Sequence, residues 1–248
     1  MNKKKFKGII LAGGVGSRLH PLTEIVNKFL LPIYNKPMIE YSIDSLRNTG
    51  ITEIALVLGN KSAGQTIEYL KSGEKYGVNF TYLYQEKPLG VAHALGCAKG
   101  FIGNDNAVVL CADNIIWDSI KPFIDNFSDG CFITCKKFND IEYLKRFAIL
   151  RFDDNGNVID LIEKPEYPPS NVAFAGIQIY DNSVFNIIDK LKPSARGEYE
   201  ITHVINEFIN IKKFKYGILN EEWIDAGTPD SLLDAQKLAF TKSLSKKI

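Results

Sequence analysis

The amino-acid sequence predicts an α/β fold with a Rossmann-like, mostly parallel mixed sheet flanked by helices. Short apolar runs rich in β-formers alternate with helical patterns through the first half of the chain, which is typical of parallel strands joined by crossover helices. A glycine-rich loop ends the first apolar run, and such sheets bind ligands beyond the carboxyl ends of their strands. The second half contains a hairpin pattern instead, which predicts a small β-rich subregion beside the sheet.

Local signals predict the individual elements. Pro37 suits the first turn of a helix and Gly50 suits its end. In the first half, the predicted strands are 7–11, 53–58, 80–84 and 107–111, and the predicted helices are 37–49, 62–71 and 91–101. In the second half, the predicted strands are 146–152, 158–162, 173–180 and 214–219, and the predicted helices are 183–191, 199–211 and 230–244. We interpret 1–248 as one domain, because no linker-like segment divides these elements.

Composition excludes several classes of function. The chain has 248 residues, of which 45% are hydrophobic, and a formal net charge of +1. This length is ample for a buried core, and the balanced charge argues against nucleic acid as a partner. No segment approaches the ~20 apolar residues of a membrane span, and the apolar run after the basic start at 1–5 is too short for a signal peptide. We therefore expect a cytoplasmic protein without a membrane partner, and we leave open whether it is a homo-oligomer.

The cysteines and histidines form no metal-binding pattern. The sequence contains no Cys-x-x-Cys pair, and its histidines are scattered. We predict free thiols in a reducing compartment and assign no catalytic role to any histidine. The residues concerned are Cys97, Cys111, Cys131, Cys135, His20, His93 and His203.

The loop after the first predicted strand is typical of a polyphosphate-binding site. Its glycines let the backbone approach a ligand and point N–H groups at it, and Arg18 and the nearby Lys28 add positive charge. A P-loop does not fit because no Gly-Lys-Ser or Gly-Lys-Thr follows, and a dinucleotide fingerprint needs a small residue where Leu19 stands. A tight turn that merely ends the strand is the alternative. The predicted phosphate-binding residues are Leu11, Ala12, Gly13, Gly14, Gly16, Ser17, Arg18 and Lys28.

Three further segments carry polar residues where apolar runs end. Gln85 offers a donor and an acceptor, as the imide edge of a pyrimidine requires, and the Pro88 to Gly90 turn lets the main chain lie against a ring. Asp113 and Asp225 each follow an apolar run. Mg²⁺ commonly binds one or two carboxylates together with substrate phosphates, so the pair predicts a magnesium site. For the Gln85 segment the alternative is an ordinary βα loop, and for Asp225 it is a cap or turn before the last helix.

A third group of charged residues lies in the second half of the chain. Lys164 and Arg196 each bring a cation to the end of a predicted element, which indicates a second substrate that carries phosphate. Glu163 is an acceptor when ionised and suits sugar hydroxyls.

These segments together resemble the sugar nucleotidylyltransferase family, and most closely its glucose-1-phosphate thymidylyltransferase branch. The motifs occur in the family's order and cover about 7–240. They are Gly-Gly-x-Gly-x-Arg-Leu at 13–19, Lys-x-Leu-Leu-Pro at 28–32, Lys-Pro-Met-Ile at 36–39, Glu-Lys-Pro at 163–165, Lys-Pro-Ser-Ala-Arg-Gly-Glu at 192–198 and Asp-x-Gly-Thr at 225–228.

The resemblance implies transfer of a nucleotidyl group from a nucleoside triphosphate, with dTTP or UTP favoured, to a sugar-1-phosphate, giving an NDP-sugar and pyrophosphate. It implies a nucleotide half at about 7–135 and a sugar-phosphate half, with the β-rich subregion, at about 136–240. By resemblance, Arg18, Lys28 and Asp113 are catalytic, Asp113 and Asp225 hold Mg²⁺, and the glycine loop binds the triphosphate. Gln85, Pro88 and Gly90 bind the base. The sugar phosphate is assigned to Asn114, Phe147, Ala148, Glu163, Lys164 and Arg196.

The sequence departs from the family pattern at the expected sugar site. Phe147 and Ala148 stand where the branch typically has tyrosine and glycine, which removes a hydroxyl and adds a methyl group. We hypothesise that glucose-1-phosphate is accepted poorly and that a deoxy, amino or otherwise modified sugar-1-phosphate is the partner.

Other functions stay open at the level of the sequence. A cytidylyltransferase, or a nucleotidyltransferase for an unusual phosphorylated substrate, is one alternative. A glycosyltransferase normally carries an Asp-x-Asp metal motif, which the segment 113–115 lacks. A non-catalytic nucleotide-sugar sensor is a further alternative, although such a protein would have no need to keep the cations that stabilise a transition state.

Overall fold

The structure, a computed structural model, describes residues 4–61 and 63–245. The strands are β1 (Phe6–Ala12), β2 (Pro32–Ile33), β3 (Lys36–Pro37), β4 (Glu53–Gly59), β5 (Asn79–Gln85), β6 (Asn106–Cys111), β7 (Asn114–Ile116), β8 (Cys131–Lys137), β9 (Ala148–Phe152), β10 (Val158–Glu163), β11 (Val172–Tyr180), β12 (Phe214–Ile218) and β13 (Trp223–Asp225).

The helices connect and cover these strands. They are α1 (Leu22–Ile25), α2 (Met38–Arg47), α3 (Ala63–Leu70), α4 (Val91–Gly96), α5 (Lys99–Ile102), α6 (Lys121–Asp125), α7 (Ile141–Leu144), α8 (Val184–Ile188), α9 (Ile201–Asn210) and α10 (Pro229–Ser245). Short 3₁₀ helices cover Ser17–Leu19, Lys28–Leu30 and Glu74–Tyr76. Ser62, the predicted start of one helix, and residues 1–3 of the basic start lie outside the described residues.

A nine-stranded mixed sheet organises the described part of the chain, as the predicted fold class requires. Strands β5, β4, β1 and β6 lie side by side and are parallel. The long strand β11 continues the sheet antiparallel to β6, and it also pairs with β8 and β9. The hairpin β9–β10 forms one edge, and β12 pairs with β8. The first half thus contributes the four adjacent parallel strands of this sheet, and the second half adds antiparallel pairs together with the parallel pair of β8 and β12.

Alternating side chains of the central strands bury both faces of the sheet. Ile10 and Leu56 belong to a core on the face that packs against α2 and α10. Ile9 and Val57, one residue away along each strand, belong to the core that packs against α4, α8 and α9. Because successive side chains of a strand point to opposite faces, near-continuous apolar runs are what a two-sided core requires.

The structure differs from the predicted elements in detail. The predicted helix 91–101 is interrupted after Gly96, because glycine weakens a helix interior. The short strands β2, β3, β7 and β13 were not predicted, since two or three residues show no periodicity. All four cysteines are free, as predicted. Within 4–61 and 63–245, we find no helix of the length and apolar character that a bilayer crossing demands.

Candidate functional site

A cleft of about 470 Å³ lies beyond the carboxyl ends of the parallel strands. Residues from both halves of the chain line it, so the structure brings together segments that are more than one hundred residues apart. The predicted site residues in its lining are Leu11, Gly13, Gly14, Gly16, Ser17, Arg18, Lys28, Gln85, Pro88, Gly90, Asp113, Glu163, Lys164 and Arg196. This is the edge of the sheet at which an α/β fold binds ligands.

The glycine loop follows β1 and packs closely against its neighbours. A Cβ atom at Gly13 would lie 2.9 Å from Oε1 of Gln85, and one at Gly14 would lie 3.1 Å from Nζ of Lys28. Gly16 has φ +73°, in the left-handed region that favours glycine. The loop therefore presents backbone rather than side chains to the cleft.

Lys28 is fixed from two directions. Asn27 caps the 3₁₀ helix Lys28–Leu30, because its Oδ1 accepts from the Phe29 N–H at 3.0 Å and its Nδ2 donates to Oγ1 of Thr66 at 2.7 Å. At the other end, Lys28 Nζ lies 2.7 Å from Oδ2 of Asp113, with both side chains largely buried. The cation is thus held at the base of the cleft.

Asp225 lies beside Asp113 because β13 pairs with β7. The antiparallel register puts Asp225 opposite Asn114, and the Ala226 N–H donates to the carbonyl oxygen of Asp113 at 2.9 Å. Burial and the negative charge of Asp113 raise the pKa of Asp225. Burial opposes the ionisation of Asp113, but Lys28 and Asn114 hold the pKa of Asp113 below its usual value.

This carboxylate pair fits a hard divalent cation. The negative charge of Asp113 raises the pKa of Asp225, which shows that the two carboxylates repel each other. A divalent cation bound to their oxygen atoms would relieve this repulsion. The described residues contain no group of three or more His, Cys, Asp or Glu side chains that could hold a metal. Any cation bound here would therefore complete its coordination with water or substrate phosphate, which is the usual arrangement for Mg²⁺.

Asn114 orients the Asp113 carboxylate. Its Nδ2 donates to Oδ1 of Asp113 at 3.1 Å, and its own Oδ1 accepts from Nε1 of Trp223 at 2.8 Å. A Cβ atom at Gly176 would lie 2.4 Å from that Oδ1, so the glycine leaves the space that the amide occupies. The amide is consequently enclosed between three elements.

Arg18 extends over Gly227. A Cβ atom at Gly227 would lie 2.6 Å from Nη2 of Arg18 and 2.7 Å from Oδ1 of Asp225, so a side chain there would displace both groups. The Gly227 N–H also donates to this Oδ1 at 3.0 Å. Arg18 itself is exposed to the cleft, where its guanidinium is available to an anion.

The far end of the cleft is built around Gln85 and Gly90. Gln85 ends β5 and is 6% exposed, and its Nε2 lies 2.9 Å from Nδ1 of His93 and 3.3 Å from the Gly90 carbonyl oxygen. Gly90 has φ +103°, and a Cβ atom there would lie 2.7 Å from the carbonyl oxygen of Tyr199. The Tyr199 N–H donates to the Leu89 carbonyl oxygen at 2.7 Å, which closes this end of the cleft.

Three charged residues of the second half form the opposite wall. Oε1 of Glu163 lies 3.5 Å from Nζ of Lys164 and 3.6 Å from Nη2 of Arg196. Arg196 also donates through Nη2 and Nε to Oε1 of Glu200, at 2.7 and 3.0 Å. The same Oε1 accepts from Oγ of Ser194 at 3.0 Å. The guanidinium is therefore aligned along this wall before any ligand binds.

Five predicted site residues do not line the cleft. Ala12 is buried at the end of β1, and Asn114 and Asp225 lie opposite each other in the β7–β13 pair, next to Asp113. Phe147 is 6% exposed, and its ring lies 4.9 Å from that of Trp223 in an aromatic cluster with Phe138 and Tyr143. Ala148 is buried in the core of the opposite face. A side-chain contact between the Phe147 and Ala148 pair and a sugar stays a prediction.

Several residues of the site were absent from the sequence prediction. His93 and Glu200 act on Gln85 and Arg196, and their side chains give no local signal of this. Gly59, at the end of β4, approaches the glycine loop so closely that a Cβ atom would lie 2.5 Å from the Gly13 carbonyl oxygen. Gly176 could have been found, because an isolated glycine inside a strand pattern indicates a bulge.

Comparisons with known proteins find relatives along almost the whole chain. A family model described as nucleotidyl transferase matches residues 7–242. The chain is 40% identical over 243 residues to the low-salt glycan biosynthesis nucleotidyltransferase Agl11 of Haloferax volcanii, covering 97% of this chain and 68% of that protein. It is 38% identical over 245 residues to the glucose-1-phosphate thymidylyltransferase of Mycolicibacterium smegmatis, covering 96% and 83%.

Solved structures show the same fold. A candidate glucose-1-phosphate thymidylyltransferase from Bacillus anthracis, crystallised with sucrose, superimposes with a TM-score of 0.89 and 41% identity over 95% of both chains. A UDP-glucose pyrophosphorylase in complex with UDP-glucose superimposes with a TM-score of 0.83 over 96% of this chain and all of the other. At 24% identity, the latter similarity bears on the fold alone.

Proposed function

The chain belongs to the nucleotidyl transferase family, and we propose that it transfers a nucleotidyl group from dTTP or UTP to a sugar-1-phosphate, giving an NDP-sugar and pyrophosphate. The observation that carries this proposal is the composition of a single cleft. Its lining contains a glycine loop with Arg18 and Lys28 from the first half and Glu163, Lys164 and Arg196 from the second. Two separate cationic groups suit two phosphate-bearing substrates bound at once.

The chemistry is an in-line displacement at the α-phosphorus of the nucleotide. The bond from the sugar-phosphate oxygen to phosphorus forms as the bond to pyrophosphate breaks. This oxygen is already ionised, so the reaction needs no protein base and no covalent intermediate. The side chains of the cleft orient the two substrates and neutralise charge that moves onto pyrophosphate, and Arg18 is the exposed cation best suited to that task.

Asp113 and Asp225 would hold a magnesium ion in this reaction. The ion, when bound, supplies charge neutralisation and alignment to the nucleotide phosphates. Asp113 is kept ionised for this role by Lys28, and its orientation is set by Asn114. The raised pKa of Asp225 means that its ionised form is unfavourable beside Asp113, and a bound cation would stabilise that ionised form.

The sugar and the compartment are the remaining parts of this proposal. Glu163 is an acceptor beside Lys164 and Arg196, which suits a hexose phosphate with free hydroxyls. Poor acceptance of glucose-1-phosphate stays a prediction, since the ring of Phe147 packs in an aromatic cluster. The four free cysteines support a reducing compartment, and we propose the cytoplasm.

The test is a substrate grid read by pyrophosphate release. The purified protein is given dTTP, UTP, CTP, ATP or GTP with glucose-1-phosphate and with deoxy and amino sugar-1-phosphates. We expect release only when both substrates and Mg²⁺ are present, and fastest with dTTP or UTP. Arg151→Ala serves as the control, because Arg151 pairs with Asp160 at the surface and does not line the cleft. Absence of release from every combination, or transfer of sugar from an NDP-sugar to an acceptor, would contradict the proposal.

A further inference from the structure

The Gln85 amide is held in one of its two orientations. Its Nε2 faces the carbonyl oxygen of Gly90 at 3.3 Å and Nδ1 of His93 at 2.9 Å. A backbone carbonyl can only accept, so the NH₂ group, and not the oxygen, must face Gly90. With that orientation set, Nδ1 of His93 must accept as well. The imidazole is then the neutral tautomer with its proton on Nε2.

This arrangement uses both hydrogens of the amide and leaves its oxygen for a ligand. Oε1 of Gln85 points toward the glycine loop, where a Cβ atom at Gly13 would be 2.9 Å away. Gln85 and Gly13 both line the cleft. Rotating the amide would set Oε1 against the Gly90 carbonyl oxygen, and the hydrogen bond to His93 would survive only if the imidazole moved its proton from Nε2 to Nδ1. At this point the Gln85 side chain therefore presents a hydrogen-bond acceptor to the cleft, not a donor.

We propose that His93 is a positioning residue for base selection: with its proton on Nε2, its Nδ1 acts together with the Gly90 carbonyl oxygen to hold the Gln85 amide in one orientation. The inference rests on the proposed function, since it concerns which nucleotide that same cleft takes. His93 itself does not line the cleft. It lies on α4, one turn from the Gly90 end of the cleft, and acts through its hydrogen bond to Gln85.

The bases differ in what they offer to a fixed acceptor. Uracil and thymine carry a hydrogen on N3, which can donate to Oε1 of Gln85. Cytosine has a lone pair on N3, so the same placement sets two acceptors against each other. A Gln85 amide free to rotate could satisfy either base. Discrimination against cytosine thus depends on the hydrogen bonds that prevent the rotation, and His93 makes the shorter of the two.

The experiment compares the ratio of kcat/KM for UTP to that for CTP in the full-length protein. In His93→Leu, we expect this ratio to fall about tenfold, the loss that one hydrogen bond would cause. The KM for the sugar phosphate should be unchanged. His93→Gln, whose side-chain carbonyl can accept in place of Nδ1, should retain most of the ratio. Cys97→Ala is the matched control, because its Sγ bonds only the His93 carbonyl oxygen on the same helix.

The outcomes separate this inference from the proposed function. If the wild type does not prefer UTP or dTTP to CTP, or if Gln85→Leu leaves the preference intact, the base assignment itself is wrong. If that preference exists and depends on Gln85 but folded His93→Leu retains it, only the role of His93 is wrong. Should His93→Leu fail to fold, ¹⁵N NMR of the wild type decides the matter. A protonated Nδ1 on His93 would overturn the inference, and an unprotonated Nδ1 supports it.

Discussion

Single residues of the cleft show opposite responses to the same burial. Asp113 and Asp225 are adjacent carboxylates, yet the pKa of Asp113 lies below its usual value and that of Asp225 above it. Lys28 accounts for the difference, because its Nζ lies 2.7 Å from Oδ2 of Asp113. Of these two neighbouring carboxylates, Asp113 is thus already paired with a cation, whereas Asp225 has no ion-pair partner at such a distance among the described residues.

We expect the same substitution to have opposite effects on stability at the two positions. Without metal at pH 7, Asp225→Asn should raise Tm, because it removes a charge that burial and Asp113 oppose. Because the pKa of Asp225 is raised in the folded protein, protonation of Asp225 stabilises the fold at low pH. This stabilisation is lost as the pH rises through the folded pKa. The Tm difference should thus disappear in acid. Asp113→Asn should lower Tm, because Lys28 loses its partner.

Both variants should lower turnover at least ~100-fold if the two carboxylates hold the magnesium ion. Calorimetry with and without Mg²⁺ supplies the control, since the ion should raise the Tm of the wild type and not that of either variant. Near-normal Mg²⁺-dependent activity in either variant would exclude that residue as a ligand.

Two arginines of the cleft should differ in the kinetic constant that they control. Arg18→Ala should lower kcat at saturating substrates, because its charge matters most as pyrophosphate departs. Arg196→Ala should chiefly raise the KM for the sugar phosphate, since Glu200 aligns Arg196 along the opposite wall. Steady-state kinetics of each variant, with Arg151→Ala as the surface control, measures both constants. If Arg196→Ala raised only the KM for the nucleotide, the assignment of Arg196 to the sugar phosphate would be wrong.

At the scale of elements, β11 both extends the sheet and shapes the site. Its register shifts between Phe174 and Gln178, and Gly176 within that shift has φ +78°. The bulge makes room for the Asn114 amide, which in turn orients Asp113. An irregularity in one strand thus acts on a carboxylate that belongs to another segment.

Gly176→Ala should reduce activity as well as stability. The left-handed backbone costs a non-glycine residue about 1–2 kcal/mol, and the added Cβ would also collide with Oδ1 of Asn114 at 2.4 Å. Gly156→Ala is a matched control, because Gly156 has φ +80° in the hairpin turn with nothing within 4 Å. Both variants should lose stability in urea unfolding, but only Gly176→Ala should lose kcat/KM. Equal activity of the two variants would show that the Asn114 contact is unimportant.

At the scale of the whole molecule, the two halves share one sheet and both cores. Strand β11 of the second half pairs with β6 of the first, with Ile177 opposite Leu110. Ile177 lies in the same core as Ile10, and Tyr180 lies in the same core as Ile9 on the other face. Neither half can keep its buried surface without the other.

We therefore expect one cooperative unfolding transition. Far-UV circular dichroism and tryptophan fluorescence should give coincident curves in urea. Ile177→Ala should cost about 2–5 kcal/mol, as for other buried aliphatic truncations, and should shift both curves equally. Two separated transitions, or a shift of one probe only, would indicate that the halves are independent domains.

Local sequence patterns were sufficient to predict the parallel strands, the glycine loop that follows the first of them, and the residue types of the cleft. These features have local signals, because apolar periodicity, turn-forming glycines and charged residues at strand ends can be read within a few positions. The family motifs added the substrate class and assigned Asp113 and Asp225 to one metal. The prediction that Lys28 binds phosphate also needed only its proximity to the loop in the sequence.

Which of these residues are in contact, and in what orientation, depends on the tertiary structure. The pairing of β7 with β13 sets Asp225 beside Asp113, and the position of α4 on the sheet sets His93 on the Gln85 amide. The structure also put Phe147 into an aromatic cluster rather than the cleft lining. Such contacts join residues that are distant in sequence, or depend on which way a side chain turns. Strand register and close packing determine them, and no local pattern encodes either.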